Sequence, residues 1–440
     1  MISKPLDRPY PRNQRTFARS AARLRHTTHC GILVVVALLS LGACGDRSDA
    51  DGPNTLFLTW DHDPTTTMVV QWLEDVDETE TPTVSVRPVE GGTWNSQIGQ
   101  LIPFGTSPLR VCRVELKGLE PGRTYLFRVG DYSRHHRFRT MPESSDEPIT
   151  FVSGGDVASN DLTDVDVHIQ AARCNPQFVL IGGDLAYGDG IKHEQWVKFL
   201  EVWNQHMVTA DGRMIPLVAC IGNHEVRQGY GRSRAAAPYF YSLFRIYPEH
   251  GFAALDFGNY MSIILLDSTH TTPVEGEQTR WLDQALSDRR DVTDVFVAYH
   301  VSAFPAHNGW ESRLSRSIRA NWVPLFEKYG VSTVFEHHGH VYKRTHPIRN
   351  NQVDATGVLY MGDGGWGSSR TVKTPDAWYL ACSHSSRNYI QIIIAAGRIT
   401  HVTMNAVGDV IDMVTVTKSR TPTVIGNSGG RDWLKPGARS

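Results

Sequence analysis

Asp184 and Tyr187 are the residues best placed to do chemistry, because they closely follow a short apolar run at positions 178–181. Four apolar residues in a row predict a strand that is buried on both faces, and Gly182 and Gly183 end it in a tight turn. A carboxylate at the carboxyl end of such a strand can bridge two cations. A phenol becomes a good ligand only when a strongly polarising ion deprotonates it, so Tyr187 favours a hard trivalent metal such as iron. Taken alone the motif is a weak signal, since turns also favour aspartate.

Residues that commonly bind metals follow four other predicted strands in the same way. They are Asp156, the run Asn223-His224-Glu225, His300, and the pair His338 and His340. Each has an ordinary structural explanation, such as a capping aspartate or a satisfied core histidine. Five such explanations would have to hold independently at one sheet edge, so the set predicts a single site. His338 and His340 lean to one side of an extended segment, which lets each bind a different ion of a close pair.

The ordered set of motifs resembles the purple acid phosphatases, within the calcineurin-like metallophosphoesterases. The motifs that carry the resemblance are Gly155-Asp156, Gly183-Asp184-x-x-Tyr187, Gly222-Asn223-His224-Glu225, Val297-x-x-His300 and His338-x-His340. Together they are highly specific, although each one alone is not. The resemblance extends over both predicted domains, including a sandwich ahead of the catalytic part.

The resemblance implies a centre of two metal ions. The first ion, Fe(III), would be bound by Asp156, Asp184, Tyr187 and His340. The second, a divalent zinc, manganese or iron ion, would be bound by Asp184, Asn223, His300 and His338. His224 would then be a non-ligand that touches the substrate.

Two positions depart from the family pattern. Ala158 stands two residues after Asp156, where relatives without a phenolate ligand have histidine and the purple type usually has glycine. His337 replaces the glycine before the histidine pair and is a candidate to enter the substrate cleft. His307, on the loop after His300, is a second candidate to meet the substrate phosphate, although a surface histidine is nearly as good an explanation.

Two metals roughly 3.5 to 4 Å apart would supply a nucleophile and neutralise the phosphoryl oxygens. We therefore expect a metal-bound hydroxide to attack phosphorus directly, without a phosphoenzyme. His224 is expected to act as the general acid or to stabilise charge, with Glu225 orienting its ring. Two alternatives stay open: a phosphodiesterase on the same metals, and a non-catalytic surface lipoprotein for adhesion or phosphate capture. The intact ligand set argues against the second.

The chain divides into four predicted segments. Residues 1–44 are a signal peptide, 52–142 an all-β sandwich that resembles a fibronectin type III module, 148–418 an α/β domain and 419–440 a flexible tail. Short alternating strands indicate the sandwich, as does a Pro-Gly turn before Tyr125 that resembles a tyrosine corner. From residue 148 strands alternate with helices, which indicates α/β layers, here a four-layer αββα metallophosphoesterase domain.

The amino terminus predicts export. Seven basic residues precede an apolar run at 31–41, which is too short to span a bilayer but fits a secretory signal. The following Leu41-Gly42-Ala43-Cys44 resembles a bacterial lipobox and predicts a lipid anchor on Cys44, in the periplasm or at the cell surface. A signal peptide that carries a cysteine by accident is the alternative. Residues 45–440 hold 37 basic and 45 acidic residues, a formal charge of −8, so the expected partner is a phosphorylated small molecule and not nucleic acid.

Overall fold

The computed structural model of the protein describes residues 52–77, 80–417 and 424–426. All of them belong to one compact unit, Arg47–Ser440. The predicted signal peptide with Cys44, and the predicted tail except for residues 424–426, lie outside the described residues. Among the helices in the described ranges, none is both long and apolar enough to cross a membrane.

The first part of the chain folds as the predicted all-β sandwich. Its strands are β1 (Phe57–Thr59), β2 (Met68–Asp75), β3 (Thr83–Pro88), β4 (Asn95–Ile98), β5 (Gln100–Pro103), β6 (Leu109–Leu116), β7 (Thr124–Val129) and β8 (His136–Arg139). They form two antiparallel sheets with the strand orders β1-β2-β6-β5 and β4-β3-β7-β8. The hydroxyl of Tyr125 accepts a hydrogen bond from the backbone N–H of Glu120 at 2.8 Å, as a tyrosine corner requires.

The second part of the chain alternates strands with helices. Its strands are β9 (Ile149–Gly154), β10 (Phe178–Ile181), β11 (Leu217–Ala219), β12 (Ala253–Phe257), β13 (Met261–Leu265), β14 (Asp294–Val301), β15 (Thr333–His337), β16 (Tyr342–Thr345), β17 (Ile348–Arg349), β18 (Gln352–Val353), β19 (Tyr360–Gly362), β20 (Leu380–His384), β21 (Asn388–Ala395), β22 (Arg398–Asn405), β23 (Val410–Thr417) and β24 (Val424–Gly426). Its helices are α1 (Asp166–Arg173), α2 (His193–His206), α3 (Pro238–Leu243), α4 (Glu277–Asp288), α5 (Arg313–Asn321) and α6 (Val323–Tyr329). Strand β24, within the predicted tail, pairs with β23.

Two seven-stranded mixed sheets pack face to face, which confirms the predicted class. Their orders are β11-β10-β9-β21-β22-β23-β24 and β12-β13-β14-β15-β19-β16-β20. Aromatic rings fill the space between them: Phe151 stacks on Phe178 within the first sheet and meets Phe296 and Phe335 of the second edge-on, with centroids 5.3 and 6.1 Å away. Buried residues of α4 and α6 join the outer face of the second sheet in a separate core, while α1 packs on β21.

Parallel pairing brings the carboxyl ends of six strands together. Strands β9, β10 and β11 run parallel in one sheet, as do β13, β14 and β15 in the other. The polar residues that follow these strands therefore converge at one edge of the packed sheets. The parallel arrangement of these strands thus explains why residues almost 200 positions apart in the sequence can share a site.

The sandwich packs on the second part through its first sheet. The Thr59 hydroxyl donates to the Leu217 carbonyl at 2.7 Å, and the Gln71 amide donates to the Leu243 carbonyl at 3.0 Å. The Trp60 indole meets the Phe178 ring edge-on, 6.0 Å between centroids. Strand β2 is consequently buried on both faces over Met68–Leu73, whereas the second sheet of the sandwich keeps one open face.

Candidate metal centre

Five of the predicted site residues have left-handed backbone conformations. The φ angles are 61° at Asp156, 56° at Asp184, 57° at Tyr187, 76° at His338 and 57° at His340. A residue other than glycine in this region costs about 1 to 3 kcal/mol and persists only where its surroundings fix it. Such strain concentrates at functional sites, and here it aims side chains from three strand ends into one space.

The ligand atoms of Asp156, Asp184, His300 and His338 all lie within 4.8 Å of one another. Both carboxylates are fully buried, and Asp156 Oδ1 accepts no well-aligned hydrogen bond among the described residues, although an imidazole nitrogen of His340 lies beside it. Burial raises the pKa of each carboxyl, but the nearby imidazoles outweigh burial and lower it. Two buried negative charges side by side require a cation, which a metal would supply.

One half of the cluster contains Asp156, Tyr187 and His340. The Nε2 atom of His340 lies 3.0 Å from Asp156 Oδ1 and 3.3 Å from the Tyr187 hydroxyl. These separations match neighbouring ligands around an ion with bonds of roughly 2.0 to 2.2 Å. Burial, and then Asp156 and Asp184, raise the pKa of the Tyr187 phenol far above its ordinary value. The phenolate therefore forms only beside a strongly charged metal.

The other half contains Asp184, Asn223, His300 and His338. His300 Nε2 lies 3.2 Å from Asp184 Oδ2 and 3.1 Å from Asn223 Oδ1, so three potential ligand atoms face one point. Burial lowers the pKa of His300, but Asp184 and Asp156 outweigh it and raise that pKa to about 10. The two carboxylates thus favour a positive charge at the position of this ring. Burial lowers the pKa of His338 to about 4, which keeps its ring neutral and able to bind metal.

Hydrogen bonds on the far side of the imidazoles set their tautomers. His300 Nδ1 donates to the Gly182 carbonyl at 2.9 Å, which leaves Nε2 as the ring atom that faces Asp184 and would bind a metal. His340 Nδ1 lies 2.8 Å from the Ser368 hydroxyl, which donates to Ser159, and Ser159 donates to the Asp156 carbonyl. These contacts present both Nε2 atoms to the cluster. The donor set therefore fits two adjacent metal ions.

The ring of His224 lies over Tyr187 at the rim of the cluster. Their centroids are 4.1 Å apart and their planes are 23° from parallel. The backbone N–H of His224 donates to Asp184 Oδ1 at 2.8 Å, and its Nδ1 donates to Asp189 Oδ1 at 2.7 Å. The side chain is 37% exposed, so its other nitrogen is open to a ligand. Sequence reasoning missed Asp189, which follows Asp184 in a turn and carried no distinguishing signal.

Glu225 does not orient the His224 ring, contrary to the sequence prediction. Its buried carboxylate accepts hydrogen bonds from the backbone N–H groups of Asp184, Leu185 and Gly222 at 2.7 to 2.8 Å. Burial, and then Asp184, raise its pKa to about 7. Glu225 therefore fixes the backbone that carries Asp184, while Asp189 holds the His224 ring.

His337 is also not in the cleft that the sequence suggested for it. Its side chain is 1% exposed, and a Cβ atom added at Gly182 would overlap its ring. Burial lowers its pKa to about 3, so the ring is neutral. It packs beneath the loops that carry Asp156 and Asp184, where it has no access to a substrate. His307, in contrast, is half-buried, and its Nδ1 donates to the Thr371 carbonyl at 2.8 Å.

The glycine-rich stretch after β19 supports the centre directly, although its sequence gave no reason to assign it a role. Asp363 accepts hydrogen bonds from the Gly339 N–H at 3.0 Å and from the Ser302 hydroxyl at 2.8 Å. It thereby fixes the turn between His338 and His340. Gly364 has a φ of 78°, and a Cβ there would overlap the Asp156 carboxylate.

Two facing mixed sheets with this donor set at their strand ends define a metal-dependent phosphoesterase. Residues 149–344 match the family model described as calcineurin-like phosphoesterase, and residues 53–145 match that described as purple acid phosphatase, N-terminal domain. The chain belongs to the purple acid phosphatase family, and it is a phosphoesterase hydrolase. The family implies a dinuclear metal centre and a phosphorylated small-molecule substrate.

Individual relatives agree with this membership. An uncharacterized protein of Mycobacterium tuberculosis is 26% identical over 393 residues, which covers 74% of this chain and 71% of that protein. Purple acid phosphatase 15 of Arabidopsis thaliana is 28% identical over 311 residues, 60% of this chain and 56% of that protein. The structure of a purple acid phosphatase from yellow lupin (Lupinus luteus) seeds has the same fold, with a TM-score of 0.69 and 17% identity over 83% of this chain and 74% of that one.

Proposed function

We propose that the protein is an exported phosphatase that hydrolyses phosphate monoesters at a centre of Fe(III) and a divalent zinc, manganese or iron ion. The observation that carries the proposal is the convergence of two carboxylates and two imidazoles within 4.8 Å, with His224 held just outside them. The Fe(III) ligands would be Asp156, Asp184, Tyr187 and His340. The ligands of the divalent ion would be Asp184, Asn223, His300 and His338.

When bound, the two ions would activate a water molecule and neutralise the phosphoryl oxygens. The chain itself supplies a proton donor. Because Asp189 accepts the Nδ1 proton of His224, the opposite nitrogen is the one that can face the leaving group. His224 there donates a proton to the departing alkoxide, and His307 on the neighbouring loop is a second candidate to contact the phosphate.

Asp189→Ala should lower kcat by about 10- to 100-fold, because the His224 ring loses the carboxylate that orients it. Asp189→Asn keeps an acceptor oxygen and should therefore lower kcat less than Asp189→Ala does. The measurement is kcat for an alkyl phosphate and for nitrophenyl phosphate, with a larger loss expected for the alkyl ester, whose leaving group needs the proton more. Lys192→Ala is the control, since Lys192 lies 3.7 Å from Asp189 and does not contact His224. Equal losses for the two esters would contradict this role.

Tyr230 is a further residue that the sequence did not single out. Its hydroxyl donates to Asn223 Oδ1 at 3.0 Å, the same oxygen that faces His300. An amide has two ends of similar shape, and a hydroxyl donor selects the oxygen end. Tyr230 thus turns the Oδ1 atom of Asn223 toward His300 and the proposed position of the divalent ion.

Tyr230→Phe should weaken binding of the divalent ion by about 10- to 100-fold and leave Fe(III) bound. Titration of the divalent ion into protein that retains only iron measures this affinity. Tyr241→Phe is the matched control, because the Tyr241 hydroxyl bonds the Thr271 hydroxyl and no residue of the cluster. An unchanged affinity in Tyr230→Phe would show that the amide orientation does not depend on this bond.

The proposed activity is tested with nitrophenyl phosphate and bis-nitrophenyl phosphate side by side on the metal-loaded protein. We expect a larger kcat/KM for the monoester. A larger value for the diester would favour the phosphodiesterase alternative, and turnover of neither by protein with both metals bound would favour a non-catalytic binder.

We further propose lipidation at Cys44, on the strength of the sequence motif at 41–44. Mass spectrometry of the mature amino-terminal peptide should then show an acylated Cys44. An amino terminus at another residue would contradict the anchor without touching the catalytic proposal.

A further inference from the structure

The second sheet of the sandwich presents an open face with one kind of charge. Strands β3, β4, β7 and β8 contain Arg87, Arg128, Arg137 and Arg139 and neither aspartate nor glutamate. The pairing of β3 with β7 and of β7 with β8 puts these arginines on the side opposite the buried Val84, Val86, Phe127 and Phe138. The first sheet is covered by the second part of the chain. This side is open away from the β8 edge, where Arg137 contacts the backbone of Asp211 and Met214.

Trp94 lies across the middle of that side. The guanidinium carbons of Arg87 and Arg128 sit 5.0 and 5.4 Å from its ring centroid, and the His135 ring is 5.3 Å away. Cation–π contacts of this kind hold guanidinium groups over the ring and leave most of their N–H donors available, although Arg87 uses one on the Pro88 carbonyl. We call the set of Arg87, Trp94, Arg128, His135 and Arg137 the basic face.

Acidic residues near the basic face sit at its margins, and most are engaged by other arginines. Glu90 and Glu120 pair with Arg123, and Glu147 pairs with Arg139. Asp131 is exposed in the turn after β7. The centre of the face thus keeps a local positive charge on a chain whose residues 45–440 are acidic overall. Charge complementarity therefore requires an anionic partner.

Exposed apolar residues on the same side point to a membrane surface in preference to a soluble polyanion. Ile98 of β4 is 73% exposed, and Trp94 and Leu126 are partly exposed between the arginines. Tryptophan beside arginine is typical of the bilayer interface, where the ring enters the headgroup layer and the guanidinium groups bind lipid phosphates.

The chain enters the sandwich at the edge of the same sheet. Gly52, the first described residue, lies against the side chain of His136 of β8, which is on the buried side of that edge strand. Seven residues lie between Cys44 and Gly52, so the distance between these two residues is at most roughly 30 Å. If Cys44 is lipidated as proposed above, the anchor holds this sheet close to the bilayer. The face does not need the anchor in order to bind, and the two can be tested separately.

We propose that the basic face docks the sandwich on an anionic phospholipid surface, which makes the sandwich a membrane-contact module for the catalytic part. This membrane contact is a second property of the protein, separate from phosphoester hydrolysis and from the predicted lipid anchor. It would hold the sandwich against the bilayer by its second sheet.

The test uses residues 47–440, which contain both hydrophobic cores and none of the predicted leader. Sedimentation with phosphatidylcholine vesicles that contain about a third phosphatidylglycerol should show binding that pure phosphatidylcholine lacks and that high salt removes. Arg87→Gln/Arg128→Gln should weaken binding by about 20- to 30-fold. Arg313→Gln/Arg398→Gln removes the same charge from exposed positions elsewhere and should leave binding within about twofold. Unchanged phosphatase activity shows that each variant is folded.

Three results would overturn the proposal. Equal binding to anionic and neutral vesicles would exclude charge recognition. This comparison needs only the wild-type protein. Wild-type binding by Arg87→Gln/Arg128→Gln would place the contact elsewhere. Face-dependent binding of dextran sulfate without binding to anionic vesicles would identify a soluble polyanion as the partner.

Discussion

Asp184→Asn should abolish phosphatase activity, to below about one thousandth of the wild-type kcat, and should remove the divalent ion and most of the iron. In the proposed centre Asp184 is the carboxylate that both ions would share. Its Oδ2 lies 3.2 Å from His300 Nε2, and its Oδ1 accepts a hydrogen bond from the His224 backbone. An amide offers one neutral oxygen and so cannot bridge two cations. Metal analysis by mass spectrometry and turnover of nitrophenyl phosphate measure the two effects on the same sample.

Asp354→Asn provides the matched control for this substitution. Asp354 lies in an exposed turn after β18, where it accepts hydrogen bonds from Thr356, so the same chemical change there should leave metals and turnover unaltered. Retention of both ions by Asp184→Asn would mean that the two halves do not share this ligand.

His224→Ala should lower kcat by about 100- to 10,000-fold while the protein keeps both metals. The side chain of His224 contacts Asp189 and the Tyr187 ring. Its ring nitrogens are not among the proposed metal ligands, so its removal should leave both ions bound. The loss should be greater for an alkyl phosphate than for nitrophenyl phosphate, because nitrophenolate departs readily without a proton. The ratio of the two losses thus separates proton donation from simple charge stabilisation.

His250→Ala is the control for this second substitution, since His250 is 39% exposed, similar to His224, and pairs with Glu277 away from the centre. Loss of metal from His224→Ala would instead make His224 a ligand. A uniform loss for both esters would leave it with an electrostatic role only.

The convergence of the candidate metal ligands could be predicted because each lies at or just after the end of a strand whose signal is local. Apolar runs such as Phe178–Ile181 specify buried parallel strands, and parallel strands share one functional edge. The convergence of Asp156, Asp184, His300 and His338 follows from that rule and from the order of the strands. The rules that govern connections between strands leave few other arrangements for these side chains.

The supporting residues could not be predicted because their contacts depend on loop conformations. Asp189 reaches His224 across 35 positions, and Asp363 reaches Gly339 across 24, with no pattern in the sequence to pair them. The sequence prediction has Glu225 orienting the His224 ring, but the Glu225 carboxylate turns inward to three backbone N–H groups. A short 3-10 turn at Asn223–Glu225 sends neighbouring side chains in different directions.

His337 illustrates the same difficulty for packing. His337 is the last residue of β15, and successive side chains of a strand point to opposite faces. The His337 side chain therefore points between the sheets, while that of His338 turns toward the cluster. Glycine at positions 155 and 182 makes room for the ring, and a Cβ at either position would crowd it. Steric complementarity between residues more than 150 positions apart does not leave a signal in a single sequence.

The most direct test of the dinuclear centre is the metal content of the purified protein together with its visible absorption spectrum. We expect two metal ions per chain, at least one of them iron, and a visible band that disappears in Tyr187→Phe because only the phenolate at that position produces it. Protein that binds no more than one ion when both metals are supplied, or a visible band that survives in Tyr187→Phe, would contradict the assignment of these side chains to a shared iron-containing centre.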